Sequence, residues 1–334
     1  MIQPRCYLWA LCAVIQRFSV WAICAAAMVP GAGVANAQNY PNQSIRIVTS
    51  TLGMGVDVAA RIIAPGLAEN LGQQVIVVNT PGGGPASGEV VAKAPGDGYT
   101  LVLGGSTFVL LKSLQDKLPW DPVRDFSPIT MVASAPNILL VHPSLPVKSV
   151  KELVSMARLK PGVLHYGAGG AASPNLLAGD LLKAMARINI ITVSFRGLAP
   201  ALNALIGGEV ELGFASAVSA MPHVRTGKLR ALAVTAAQPT ILAPGLPTVA
   251  ASGVPEYESV SIYGLLAPVT TPVTIINRLH QEIIRVLNTE DIKEKFFKFG
   301  ADTSGISPQQ YAARISSDIA VMGKIIRDNG IRGE

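Results

Sequence analysis

The sequence predicts an α/β protein of two domains built on parallel sheet. Short apolar strand candidates alternate with helical patterns from Ile45 onward, and that alternation is the mark of parallel strands joined by crossover helices. Glycine-rich loops link several of the strands to the helices that follow them. Once an N-terminal leader of 37 residues is cut from the 334, 297 remain, enough for two domains of ordinary size.

The leader is read from Arg5 and Arg17, the apolar stretch 18–29, and the small-x-small site Ala35-Asn36-Ala37. The uninterrupted apolar stretch is shorter than the ~20 residues a bilayer span needs, so it reads as a cleaved secretory signal and not as an anchor. Ile23 precedes Cys24 where a lipobox would carry Gly or Ala, and no twin-arginine pair is present, so export by the general unfolded route is expected. Cys6, Cys12 and Cys24 all lie in the leader. The mature chain then has no disulfide, thiolate metal site or cysteine nucleophile. Removing two arginines lowers the net charge from +6 to +4. The basic residues Arg278, Arg285, Lys293, Lys295 and Lys298 are interleaved with Glu282, Glu290, Asp291 and Glu294, the pattern of a solvated helix face. No one-sided basic patch with aromatics speaks for nucleic acid. No later segment reads as a membrane span, so no membrane insertion is expected after cleavage, and a monomer is expected.

The strand candidates are 45–49, 75–78, 100–103, 164–166, 190–193 and 229–234, with a further one at 210–213. After the first, Asp57 can cap a helix carrying Val58, Ile62, Ile63 and Leu67, with Gly72 as its stop and Pro65 kinking or splitting it. Ser173 with Pro174 at the first turn opens a helix with the apolar face Leu177, Leu181, Leu182 and Met185. The C-terminal third is more helical. Thr271-Pro272 opens a helix with Ile276, Leu279, Ile283, Val286 and Leu287, and Ser307-Pro308-Gln309-Gln310 is a capping box that starts a last helix striped by Tyr311, Ile315, Ile319, Met322 and Ile326. Two proline-bearing stretches, 136–150 and 239–255, read as crossovers between domains. Two crossings make the first domain discontinuous.

Several loops carry chemistry. Gly53-Met54-Gly55 before Asp57 lacks the third glycine of a dinucleotide fingerprint, since Val58 stands there. What remains is either a tight turn or a strand-end loop whose N–H groups and following helix dipole favour an anion. Gly82-Gly83-Gly84 is open to the same two readings. Gly104-Gly105-Ser106-Thr107 brings two hydroxyls to the strand-end crevice where open α/β sheets bind ligands. The run 166–173, with Gly167, Gly169, Gly170 and the cap Ser173, combines free N–H groups, a helix N-terminus and a hydroxyl, and on physical grounds is the strongest anion site. Arg196 near a strand end either pairs with a carboxylate or is exposed or structurally paired.

Taken in order, these loops, with Asn79-Thr80-Pro81, Phe195-Arg196-Gly197-Leu198-Ala199-Pro200-Ala201-Leu202, Gly227-Lys228-Leu229-Arg230-Ala231-Leu232-Ala233-Val234-Thr235, Pro95-Gly96-Asp97-Gly98-Tyr99-Thr100-Leu101 and Leu118-Pro119-Trp120-Asp121-Pro122, make the chain resemble the solute-binding receptors of tripartite tricarboxylate transporters, also called the Bug family. The resemblance spans about 40–331. It implies a periplasmic-binding-protein (Venus flytrap) fold: one domain from both chain ends, 38–139 plus 255–334, a second from 140–254, and a ligand in the cleft between them. It further implies a small carboxylate ligand, membrane permease subunits as partners, and no cofactor. The first loop is usually richer in proline and glycine in that family. Leu52 and Met54 depart from this and make the jaw more apolar. Asn175 stands where the family often has histidine, Arg196 where it usually has lysine, and Ala215, between Phe214 and Ser216, where it commonly has aspartate, which favours a plain carboxylate over an amino acid.

On this reading Thr51, Leu52, Gly53, Met54, Gly55 and Asp57 form one jaw. Gly167, Gly169, Gly170, Ser173 and Asn175 form the other, aided by Ser106, Thr107, Arg196 and Ser216, with Leu52, Met54, Phe214, Ala215 and Tyr263 around the apolar remainder. Two further readings stand beside it. A sensor that docks on a receptor kinase would use the same closure. A periplasmic enzyme would need a site assembled from distant residues, because His142, His165, His223 and His280 are scattered and the sequence has no Gly-x-Ser-x-Gly elbow, zinc motif or P-loop.

Overall fold

The computed structural model describes residues 40–331 apart from 51, 54, 116, 171 and 172; the leader, with its cleavage site, lies outside the described residues. The first half is built from β1 (Ile45–Thr49), α1 (Gly55–Leu71), β2 (Val75–Asn79), α2 (Gly83–Ala92), β3 (Thr100–Gly105) and α3 (Ser106–Leu114). The long strand β4 (Phe126–Val141) leads to α4 (Val150–Leu159), β5 (His165–Ala168), α5 (Pro174–Ala186), β6 (Ile191–Ser194), α6 (Leu198–Gly207), β7 (Leu212–Ser216), α7 (Ala217–Arg225) and β8 (Arg230–Val234). The chain returns through β9 (Val260–Pro268) and closes with α8 (Val273–Leu287), α9 (Glu290–Phe299), β10 (Asp302–Thr303) and α10 (Pro308–Asp328).

The strand order is β2-β1-β3-β9-β4-β7-β5-β6, with β8 and β10 also pairing to β4. The outer strands are parallel, as the alternation predicts: β1 with β2 and β3, and β5 with β6 and β7. The centre is antiparallel, because β9 pairs with both β3 and β4, and β4 with β7 and β8. β4 differs most from the sequence reading. Its 16 residues continue to Val141 through a stretch whose prolines suggested a crossover. Pro136 is tolerated because it stands where partners change: it is the last residue opposite β9, and Asn137 is the first opposite β7. A residue without an N–H costs least where one ladder ends.

Apolar faces fill both sides. One cluster gathers Val48, Val102, Phe108, Trp120, Phe126, Ile262 and Tyr311; another gathers Leu139, Val154, Tyr166, Leu181, Phe214 and Tyr257. Leu110, Leu114, Leu177 and Ile326 join α3, α5 and α10 between them. Helix α1 runs unsplit through Pro65, so of the two expected outcomes, a kink or a split, the split does not occur. Pro65 is exposed, so its missing N–H is on the solvent side, while Ile63 and Leu67 are fully buried. Burying two such side chains contributes roughly 1.5–3 kcal/mol each, which offsets the roughly 3 kcal/mol cost of an interior proline. The Ser173 cap on Leu176 N–H and the Ser307–Gln310 capping box form as expected.

Two braces hold the strand-end loops of the first half. The Trp120 indole N–H donates to Pro85 O at 2.8 Å and its ring stacks on Phe108 at 4.5 Å, which fixes the start of α2. Gly88 is needed for this approach, since a Cβ there would lie 2.2 Å from the indole. The second brace is Asp57. It is not the helix cap, since α1 begins at Gly55; its carboxylate is 1% exposed and accepts hydrogen bonds from Gly53 N–H, Arg61 and the Asn79 amide. Asn79 also donates to Thr49 Oγ1 at 2.8 Å, so β1, β2 and the first loop meet on one buried charge. Burial pulls the Asp57 pKa up, but the hydrogen bonds of Arg61, Gly53 N–H and Asn79 outweigh it and hold it at about 2, below the ordinary 3.8.

A carboxyl with a depressed folded-state pKa stabilises the fold above its unfolded pKa and loses that contribution as pH falls through the folded one. Urea unfolding should therefore show Asp57→Asn less stable by about 2 kcal/mol at neutral pH, with a flatter decline in stability between about pH 4 and pH 2 than the parent protein shows. Gly88→Ala should cost about 1–3 kcal/mol by overpacking against Trp120; a melting temperature equal to the parent's would contradict the brace.

Candidate functional site

A cleft of about 570 Å³ lies at the carboxyl ends of the parallel strands of the first half. It is walled by the start of α1 (Gly55, Val56), the start of α2 (Gly82–Gly84), and the start of α3 with its N-cap (Gly105, Ser106, Thr107). Ser261 to Tyr263 of β9 back it, and Gly170 and Pro174, at the start of α5, face it from the second half. Four helix N-termini thus open on one space. Each carries orphan N–H groups and the positive end of a helix dipole. The N-caps of α2 and α3 are glycines that supply no side-chain acceptor; in α2 the Gly83 N–H donates to Thr80 O and Pro85 has no N–H, so there only the Gly84 N–H of the first turn is left over by the cap, while the first turn of α3 has no side-chain cap. Gly82 and Gly83 have φ of 96° and 69°, a left-handed backbone that turns the chain sharply into α2. The run Gly82–Gly84 is therefore both a turn and a cleft wall.

Among the described residues that line the cleft, none is Lys, Arg, Asp or Glu. Its polar character comes from backbone, from hydroxyls such as Thr107 and Ser261, and from Gln115, while Val56, Leu103, Phe108 and Tyr263 supply apolar wall. Such a set of donors suits an anion held by oriented dipoles without a counter-charge.

The residues singled out from sequence fall into three groups. Gly55, Ser106, Thr107, Gly170 and Tyr263 line the cleft. A Cβ on Gly55 would lie 2.9 Å from the Tyr263 ring, so the glycine lets α1 reach the phenol. Tyr263 packs at 5.5 Å from Phe299, and burial pushes its hydroxyl pKa up to about 12, which keeps it a neutral donor. Ser106 spends its hydroxyl on structure, accepting from Ile262 N–H at 2.9 Å and donating to Val260 O.

A second group supports the walls. Asp57 and Gly53 form the brace already described, and Leu52, 69% exposed, stands at the loop's outer surface. Gly167 is a strand residue packed on Phe195 and Val210. Gly169 lies beside Ser173 and Asn175: a Cβ on it would be 3.2 Å from Ser173 Oγ and 3.1 Å from Asn175 Oδ1. Asn175 is 4% exposed, and its Nδ2 takes no hydrogen bond. A buried amide donor without a partner costs about 1–3 kcal/mol at a helix start that faces the cleft.

The third group is not gathered into the cleft. Phe214 is buried, edge-to-face with Tyr166 at 6.4 Å. Ala215 is buried in a different cluster, with Ile138, Leu140 and Val234, Ser216 caps α7 through Ser219 N–H, and Arg196 is exposed on the loop before α6. Thr51 and Met54 lie outside the described residues. Sequence reasoning missed Leu111 and Leu114 of α3 and Gln115, its extended C-cap, which are among the lining residues. The offsets of four and seven from Thr107 place Leu111 and Leu114 on its helical face, a signal that was available once Thr107 was named; Gln115 lies beyond the helix, and no helical spacing points to it.

Among the described residues no helix is long and apolar enough to cross a membrane, and no cluster of three metal-ligating side chains occurs. The family model described as "Tripartite tricarboxylate transporter family receptor" matches residues 59–331. A protein encoded in the tcbD-tcbE intergenic region of Pseudomonas sp. strain P51 is 32% identical, covering 86% of each chain. Protein BugT of Bordetella pertussis is 30% identical over 90% of this chain and 94% of its own. Among solved structures, an R. palustris protein with adipate is 34% identical with a TM-score of 0.67, over 88% of this chain and 99% of that one. MatC from Rhodopseudomonas palustris with bound malate is 27% identical at 0.66, over 86% and 100%. A TctC solute-binding protein from Polaromonas, solved with no ligand, is 26% identical at 0.78, over 86% and 99%. The strand-end cleft, its helix N-termini and this likeness along nearly the whole described chain agree: the protein belongs to the tripartite tricarboxylate transporter receptor family, the TctC or Bug substrate-binding receptors.

Proposed function

We propose that this receptor captures a mono- or dicarboxylate with an apolar or aromatic body and presents it to the permease subunits of a tripartite transporter. The observation that carries the reading is the meeting of four helix N-termini at a cleft with no charged side chain in its lining. A carboxylate held there by oriented N–H groups gains charge-assisted hydrogen bonds of about 1.5–3 kcal/mol each. A few of these, with apolar burial, reach a micromolar affinity of about −8 kcal/mol. Citrate would bring three charges into a space with no cation to answer them, and amino acids an ammonium with no carboxylate. The adipate- and malate-bound relatives support a dicarboxylate.

The two jaws are residues 38–139 plus 255–334 and residues 140–254, following a secretory signal of residues 1–37. Among the described residues, Gly170 and Pro174 are what the second jaw contributes to the cleft lining, and the likeness is greater to the ligand-free Polaromonas receptor than to the two ligand-bound ones. Both features are those of an open receptor. Closure would carry Gly169, Ser173 and Asn175 onto the ligand and give Asn175 Nδ2 its missing acceptor. The exported mature form acts alone, as a monomer.

Isothermal titration against aliphatic dicarboxylates, aromatic acids, citrate and amino acids tests the proposal. An aromatic acid or an aliphatic mono- or dicarboxylate should bind, and citrate should bind more weakly than the best of these. Citrate binding more tightly than every other acid would overturn it. Asn175→Ala should weaken that best ligand about tenfold without lowering the melting temperature of the free protein, because the amide is unsatisfied until a ligand arrives. A destabilised variant of unchanged affinity would assign Asn175 to the fold.

A further inference from the structure

Tyr263 is half-buried in the cleft wall, and its hydroxyl makes no hydrogen bond among the described residues. Three other tyrosines, all buried, are settled differently. Tyr166 donates to Leu176 O and Asp180, and Tyr257 donates to Ala178 O, so both commit their hydroxyls to α5. Tyr311 is fully enclosed in the core. A phenol that borders a cleft without a partner leaves a place there for an acceptor.

The hydroxyl is held in position from three sides. In the ladder Tyr263 stands opposite Gly105 on β3 and Ala133 on β4, so two small neighbours leave room beside the ring. The start of α1 settles over this space: a Cβ on Gly105 would lie 3.2 Å from Val56 Cγ1, and one on Gly55 would lie 2.9 Å from the Tyr263 hydroxyl oxygen. Phe299 packs against the ring at 5.5 Å. The hydroxyl therefore sits beside Gly55, the first residue of α1, where the orphan N–H groups of that helix begin. With its pKa pushed up to about 12 by burial, the phenol stays protonated and offers a donor that carries no charge.

We infer that Tyr263 is a specificity-determining residue of this receptor, its hydroxyl donating to the ligand's carboxylate beside the N–H groups that open α1. This rests on the carboxylate reading and assigns a side chain to it. An ionised carboxylate accepts through two oxygens with about four lone-pair positions, so backbone N–H groups and a phenol can share it. Hydrogen bonds to an ionised acceptor are roughly twice as strong as those between neutral groups. The contact is with the group that every ligand of the class shares, and it leaves the body of the ligand to the apolar wall.

The test is titration of the mature protein and its Tyr263→Phe variant with succinate, malate, adipate and benzoate. Loss of the hydroxyl should weaken every one of these acids that the parent binds about tenfold, by nearly the same factor whatever its body. The melting temperature of the ligand-free variant should match the parent's, because the phenylalanine ring keeps the Phe299 contact and no hydrogen bond within the protein is lost. Equal or tighter binding by the variant would make Tyr263 a purely apolar wall and overturn the inference. A loss confined to malate would put the phenol on the ligand's own hydroxyl, and a loss confined to any other one acid would put it on that ligand's body; either overturns the inference too. In each of these cases binding by the parent leaves the receptor reading intact. Failure of the parent to bind any of the four acids overturns both.

Discussion

Parallel strands force the helices that follow them to begin at the same edge of the sheet, and everything this receptor does depends on that constraint. β1, β2 and β3 run parallel, so α1, α2 and α3 all start at one edge, with their unpaired N–H groups and positive dipole ends turned the same way. The second half repeats the arrangement with β5 and α5 and sets a fourth N-terminus opposite. For the carboxylate proposed above, no side-chain charge would have to be buried to attract it, and none would have to be stripped of water as it enters. A buried cation would incur a desolvation cost of several kcal/mol; backbone dipoles already fixed by helices do not reorganise.

That economy needs the loops to be held still. The Asp57 carboxylate and the Trp120 indole do so from behind the cleft, one by gathering Gly53, Arg61 and Asn79, the other by gripping Pro85. The motif residues Asn79 and Trp120 are thus explained by what they position, without any contact to a ligand. The glycines between them serve close approach: Gly88 makes room for the indole and Gly55 for the Tyr263 ring.

Local signals were legible in the sequence, and tertiary ones were not. The caps Ser173 and Ser307 act within three residues of themselves, and the α8 stripe from Ile276 to Leu287 repeats on the helix period, so their chemistry is written in a short window. β4 and β9 were missed because prolines at 128 and 136 and the Tyr263-Gly264 pair disguise strands whose stability comes from pairing across more than a hundred residues. Phe214 was correctly read near a strand end, yet its side chain enters the core beside Tyr166; strand faces alternate residue by residue, and one window does not show which face a cleft will occupy. Asp57 was legible as a helix-start acid with Gly53 and Arg61 close by in sequence, but the Asn79 amide that ties it to β2 arrives only through folding.

The placement of β9 has a consequence for the order of folding. The first sheet is open at its middle until residues 260–268 insert between β3 and β4, pairing Leu103 with Leu265 and Ala133 with Tyr263. The half of the molecule that begins at the N-terminus therefore cannot complete itself while the chain is still being made, because the strand that seals it is separated from β3 by the whole second half. Pairings so distant in sequence require loop-closure entropy to be overcome before contacts repay it, and they form slowly. Completion of this half therefore waits for the last third of the chain, which carries the strand that both β3 and β4 need as a neighbour.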